Sequence, residues 1–157
     1  MNRTVWHRAT EEQVELGELS STLGFLLRLA QVQVFQSFYN TFAGQCMKPG
    51  EITVLRLIGL NQGLRQGVIA KTLMIKPAHM TKLVQRLVDA GYVRRTVPPE
   101  DRRSVYLSLT SIGRTFVDSH ERALQDFERH ERRGFTEAEF EQFLSLLQKF
   151  IEQGCAR

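Results

Sequence analysis

Cysteine is scarce in this chain: Cys46 and Cys155 are the two among 157 residues, far apart and without CxxC spacing. That excludes a disulfide framework and a cysteine-based metal site, and leaves buried or incidental thiols as the plain reading. A redox-sensing thiol is the sharper alternative, with no flanking cationic cluster in its favour. Long apolar runs are missing too, since no stretch approaches 18 uncharged apolar residues, so no membrane-spanning helix is expected. Met1 to Thr10 holds two arginines but neither an apolar stretch nor a small-residue cleavage site, so no signal peptide and a cytoplasmic location are expected. Asn2-Arg3-Thr4 then matches a glycosylation sequon by chance. Enzyme signatures are absent: there is no GxGxxG, Walker, HExxH or GxSxG pattern. His120-Glu121 and His130-Glu131 open like zinc-protease motifs, but neither has a histidine four residues after the first. No catalytic residue, metal or cofactor is expected. Low-complexity segments and repeats of 20 to 50 residues are absent as well.

What the chain does have is an apolar content of 42%, enough for the core of one domain, and an uneven charge. From Met1 to Leu64 five basic residues meet five acidic ones. From Arg65 to Arg114 ten basic residues face three acidic ones, a local net charge of +7. From Thr115 onward six basic residues meet nine acidic ones. A basic block between neutral and acidic flanks points to a polyanionic partner.

Helical periodicity fills both ends of the chain. Thr10 with Gln13 resembles a capping box, and Leu16, Leu19, Leu23, Leu27, Ala30 and Val34 recur near helical spacing. A second row, Phe25, Leu29, Val32, Phe35 and Phe42, widens the apolar surface well beyond one stripe. A helix apolar on most sides is buried on most sides, and in a chain this small a second subunit is the natural cover. Towards the other end, Thr110 can cap a helix with Ile112, Phe116, Val117, Ala123, Leu124 and Phe127 inward. Thr136 with Glu139 forms a further capping box, and Phe140, Phe143, Leu144, Leu147, Phe150 and Ile151 follow at near-heptad spacing. That stripe fits packing on the same chain and packing on a partner chain equally well.

The middle is more specific. Pro49 starts a helix that Asn61-Gln62-Gly63 breaks, and a short helix follows over roughly Arg65 to Met74, with Val68, Ile69, Leu73 and Met74 inward. Pro77 opens the next helix, where Met80, Leu83, Val84, Leu87 and Val88 form one buried face and Gly91 supplies a left-handed C-cap. The opposite face presents Ala78, Thr81, Lys82, Gln85, Arg86 and Asp89, a mixture of small, amide and cationic side chains that suits a DNA groove. The period then changes to two. Tyr92–Val97 and Ser104–Leu109 read as strands, joined by Pro98-Pro99-Glu100-Asp101-Arg102-Arg103. Helix, turn, helix, then a two-stranded basic hairpin is a far more specific order than any one part.

The stretch from Lys48 to Glu121 resembles the MarR family of bacterial winged helix-turn-helix regulators. Thr81-Lys82-Leu83-Val84-Gln85-Arg86-Leu87 is similar to the family's Thr-Arg-Leu-Val-Asp-Arg-Leu recognition helix. Asp101-Arg102-Arg103, followed by Leu109-Thr110-Ser111-Ile112-Gly113, is similar to its wing signature and Leu-Thr-x-x-Gly exit. Lys82, Gln85 and Pro98 depart from the usual residues, which bears on operator preference rather than on the mode of binding.

The resemblance implies a mainly α winged helix-turn-helix fold with a two-stranded β-wing and terminal dimerisation helices. It divides the chain into a helical dimerisation region, residues 1–47 and 115–157, and a DNA-binding lobe, residues 48–114. The implied partners are double-stranded DNA, a second copy of the chain, and a small-molecule effector such as an aromatic acid or its acyl-CoA thioester. The expected DNA-binding residues are Pro77, Ala78, His79, Thr81, Lys82, Gln85, Arg86, Asp101, Arg102 and Arg103. Among them Lys82 and Arg86 suit guanine or phosphate and Gln85 suits adenine. Arg103 suits the minor groove, Arg102 phosphate, and Asp101 the orienting of Arg103. Phe25, Arg28, Leu29 and Val32 are the effector-pocket candidates, with Arg28 as anion anchor or as a surface or dimer-interface ion pair, and Trp6 and His7 as a pocket cover or a fraying end. An effector-independent or thiol-responsive regulator is the competing expectation.

Overall fold

The computed structural model describes residues 14–43, 47–101 and 103–155. The chain divides into two compact units, residues 1–43 and 44–157. In the first, a 3₁₀ turn at Gly17–Ser21 precedes helix α1, Leu23–Thr41. The apolar row from Leu16 to Val34 keeps near-helical spacing across this stretch. Yet Gly17 takes a φ of +52° and Thr22 is extended, while the hydroxyls of Ser20 and Ser21 donate to the carbonyls of Gly17 and Glu18 at 2.8 and 2.9 Å. Short hydroxyl side chains that bond the local backbone compete with the helical ladder, so the helix restarts at Leu23. Thr10, Gln13, Trp6, His7 and Cys46 lie outside the described residues. At the end of α1 the rings of Phe38 and the C-cap residue Phe42 meet at 4.5 Å, and Leu23, Phe35 and Tyr39 remain exposed.

The second unit runs α2 (Pro49–Leu60), β1 (Leu64–Arg65), α3 (Gln66–Thr72), α4 (Pro77–Asp89), β2 (Val93–Thr96), β3 (Tyr106–Leu109), α5 (Ser111–Glu131) and α6 (Glu137–Cys155). The sheet is antiparallel in the order β1-β3-β2, so the expected two-stranded wing gains a third, two-residue strand. Leu64 pairs with Leu107 and Arg65 with Tyr106. Two residues carry no readable period, which is why the strand is invisible in the sequence. The central strand places Leu107, fully buried, against a core of Val54, Leu55, Ile58, Ile69, Met80 and Val84. Each such side chain contributes about 1.5–3 kcal/mol relative to leaving it in water.

Three expected core positions face solvent instead. Val68 is next to Ile69 and Ala70, which take the core of α3, and a one-residue step turns it about 100° away. Ile112 is turned out because its neighbour Gly113 is the residue that packs against the Tyr92 backbone. Met74 takes a φ of +52° just past α3, where its N–H bonds Lys71 O and the N–H of Ile75 bonds Ala70 O. This is the Schellman pattern with methionine where glycine is usual, and it points the side chain outward.

Two helix starts are capped as the sequence implies. Thr110 Oγ1 accepts the Gly113 N–H at 3.0 Å, and Thr136 and Glu139 exchange bonds at 2.8 and 3.3 Å. On α6 Phe140 is buried beside Phe135, whereas Phe143, Leu146, Phe150 and Ile151 are exposed.

Candidate nucleic-acid interface

Helix α4 is built to present one face. Pro77 fits its first turn, because the missing N–H falls where no intrahelical partner exists. Met80, Leu83, Val84 and Leu87 are buried and fix the rotation. At the far end Gly91, at a φ of +76°, gives its N–H to Val88 O while Tyr92 gives its own to Leu87 O. The chain then turns directly into β2, so helix and wing are joined by a short hydrogen-bonded turn.

Pro77, Ala78, His79, Thr81, Lys82, Gln85 and Arg86 all lie on the exposed side of α4. Their engagements differ. The side chains of His79 and Lys82 form no hydrogen bond or ion pair among the described residues, while the His79 N–H donates to Lys76 O at 2.9 Å. Thr81 Oγ1 donates to Pro77 O at 3.0 Å and accepts from Gln66 Nε2 at 3.2 Å. Gln85 bonds both Asp89 and Arg95. Arg86 is not a free cation: its Nε and Nη2 both contact Glu51 Oε1 at 2.7 Å. Glu51 is nearly buried, and its other oxygen caps α2 by accepting the Lys48 N–H at 2.9 Å. Arg86 therefore acts as a strut between α2 and α4, a role that the outward-facing pattern of α4 could not show.

The wing tip is a hydrogen-bonded turn. Asp101 Oδ1 accepts the backbone N–H of Arg103 at 3.1 Å, and the Ser104 N–H bonds Asp101 O at 3.2 Å. Asp101 thus fixes the backbone of Arg103, and Arg103 is exposed. Arg102 lies outside the described residues. The Ser104 hydroxyl, followed by the Arg103 N–H, holds the Asp101 carboxyl below the usual carboxylate range. A lowered pKa means that the ionised form supports the turn above the ordinary range, and that support fades only as pH falls through the lowered value. Asp101→Ala removes a negative charge, so simple Coulomb reasoning has it bind DNA more tightly. The geometry gives the opposite outcome, a loss of roughly fivefold, equivalent to about one net hydrogen bond. A fluorescence-anisotropy titration decides between them, and tighter binding would refute the turn's role.

Sequence reasoning passed over Glu51, Gln66 and Arg95. Arg95 carried a usable signal, because a period of two places it on the same strand face as buried Val93. An arginine on a core-facing row must find partners. A cleft of about 550 Å³ is lined by Glu51, Arg86, Leu87, Tyr92, Phe116 and His120, among others. Its aromatic wall is continuous: Tyr92 and Phe116 lie 4.6 Å apart, and the His120 ring stacks on Phe116 at 4.1 Å. The effector candidates Phe25, Arg28, Leu29 and Val32 lie on α1 in the first unit, with Arg28 exposed and the other three half-buried.

The winged lobe has counterparts of known identity. The model of the MarR family matches residues 47–105. The structure of the transcriptional repressor CouR, bound to a 23-mer DNA duplex, has a TM-score of 0.82 to this chain at 30% identity, covering 89% of this chain and 99% of that one. The chain belongs to the MarR family. Two further relatives bear on it. The transcriptional regulatory protein for the hcr operon of Thauera aromatica is 28% identical over 138 residues, 87% of this chain and 83% of that protein. The homoprotocatechuate degradative operon repressor of Escherichia coli is 29% identical over 84 residues, 54% of this chain and 56% of that protein. As a MarR protein the chain is a transcriptional regulator with a DNA-binding winged helix, not an enzyme. Among the described residues no helix is long and apolar enough to cross a membrane.

Proposed function

We propose that this MarR protein is a repressor that binds a pseudo-palindromic operator as a homodimer and releases it on binding a small aromatic acid or its CoA thioester. The observation that carries the reading is the outward face of α4, with exposed Lys82, joined through Gly91 to a wing on which Asp101 bonds the backbone of exposed Arg103. A two-fold dimer puts two such helices into successive major grooves about 34 Å apart, with each wing near the flanking minor groove. Exposed apolar side chains on α1 (Leu23, Phe35, Tyr39) and α6 (Phe143, Leu146, Phe150, Ile151) support dimerisation through the terminal helices. The aromatic effector class is supported by the homoprotocatechuate operon repressor among the relatives and by the aromatic-walled cleft beside Arg86. Within the first unit, taken by itself, Phe25, Leu29 and Val32 are half-buried on α1 and Arg28 is exposed, and Arg28 is the anion anchor of this proposal.

An effector acts only through different affinities for the two functional conformations. The test pairs two readouts on duplex DNA flanking the gene: a gel shift, and the thermal midpoint with a panel of aromatic acids and their CoA thioesters. At 100 times its Kd a ligand adds about 2.7 kcal/mol, which is roughly 5–10 °C for a chain of this size. The reading expects at least one compound to raise the midpoint and abolish the shift. DNA binding that no member of the panel alters would remove the effector part of the proposal.

A further inference from the structure

Gln85 stands on the exposed face of α4 with its amide held from both ends. Its Nε2 donates to Asp89 Oδ1 at 2.7 Å, and its Oε1 accepts from Arg95 Nη1 at 2.8 Å. A guanidinium only donates and an ionised carboxylate only accepts, so these neighbours permit one orientation of the amide. Arg95 is anchored in turn. It is half-buried on β2, and its Nη2 reaches the Thr81 carbonyl at 3.4 Å. Its Nε is buried without a hydrogen-bond partner, a cost that a loose arginine would escape by swinging into water. The guanidinium is therefore fixed behind Gln85. Because residue 85 is neutral here, it leaves the charge of Arg95 in place beside the reading face.

We propose that Arg95 is a specificity-positioning residue that biases Gln85 towards donating to, and away from accepting from, base edges in the major groove. The inference rests on the reading that α4 enters that groove. Glutamine pairs bidentately with adenine when its oxygen accepts from N6 and its nitrogen donates to N7. Here the oxygen is turned to a cation, and the adenine amino group would bring a donor hydrogen towards that cation. Nε2 carries a second hydrogen with no further partner among the described residues, so it can donate to edges that present acceptors. Guanine, with N7 and O6, and thymine, with O4, satisfy both conditions. The adenine expected from the bare sequence of α4 is thereby disfavoured.

The test is selection and sequencing from a pool of randomised DNA duplexes, with wild type, Arg95→Met and Gln85→Glu in parallel, each first checked for a cooperative thermal transition. Wild type is expected to enrich a two-fold symmetric site with guanine or thymine at one position in each half. Arg95→Met frees the Gln85 oxygen, so adenine at that position should gain roughly tenfold in relative enrichment while the other positions hold. Gln85→Glu carries acceptors alone and should move the same position towards cytosine, whose N4 donates. If Arg95→Met enriches the same base as wild type at every position, Arg95 does not position the reader. If that variant fails to fold, Gln85→Glu decides, and an unchanged preference overturns the proposal. A wild-type protein that enriches no sequence overturns the DNA-reading assignment itself, an outcome distinct from failure of the Arg95 role.

Discussion

Gly113→Ala is expected to lower stability by about 3 kcal/mol or more, a fall in thermal midpoint of roughly 10 °C. A Cβ at this position would sit 2.0 Å from the carbonyl oxygen of Tyr92 and 2.9 Å from its carbonyl carbon. Both are backbone atoms, so no side-chain rotation relieves the clash. The close approach is held by Thr110, whose N–H donates to Tyr92 O at 3.0 Å and whose hydroxyl donates to Gly91 O at 2.6 Å while capping α5 through Gly113. One threonine and one glycine thus lock the end of α4, the start of β2 and the start of α5 together. The Leu-Thr-x-x-Gly exit is a packing device on this account. Calorimetric melting checks it, and an alanine variant within 1 °C of wild type would contradict the close approach.

Arg86→Ala is the second large effect, with an expected loss of about 2–3 kcal/mol. Removing one partner of a buried pair costs about 3–5 kcal/mol, and the figure is reduced here because the arginine side chain is 48% exposed while that of Glu51 is 7% exposed. The variant leaves the Glu51 carboxylate at the α2 start with the Lys48 N–H and no counter-charge. Arg86→Lys should recover only part of the loss, because a point charge cannot reproduce two contacts from one planar fork. Denaturant titration gives the stability and anisotropy gives DNA affinity. Unchanged stability with weakened binding would make Arg86 a DNA reader and not a strut.

These two sites show what was legible in the sequence and what was not. The order of helices and wing was readable because period and punctuation are local: Pro49, Pro77, Gly91 and Thr110 mark starts and stops through backbone chemistry alone. The exposed row on α4 was readable because one buried face determines the other. The partners of that row were not. Glu51 lies 35 residues from Arg86, and Arg95 lies ten from Gln85, so both pairings depend on tertiary packing. An arginine turned outward looks the same in sequence whether it reaches a base or a neighbouring carboxylate. The break at Thr22 was hidden for a related reason. Hydroxyl-to-backbone bonds at Ser20 and Ser21 leave the apolar spacing intact while ending the ladder.

The central claim is that α4 and the wing form the DNA-binding surface, and the most direct test is the salt dependence of operator affinity for wild type, Lys82→Ala and Arg103→Ala. With thermal midpoints unchanged, each variant should bind about 5- to 150-fold more weakly, the span of one good base contact. A residue that neutralises one phosphate should also reduce the log–log salt slope by about 0.9, whereas loss of a base contact leaves the slope and changes the preferred sequence. The account predicts weakened binding for both variants. Affinities equal to wild type at every salt concentration, for both, would contradict it.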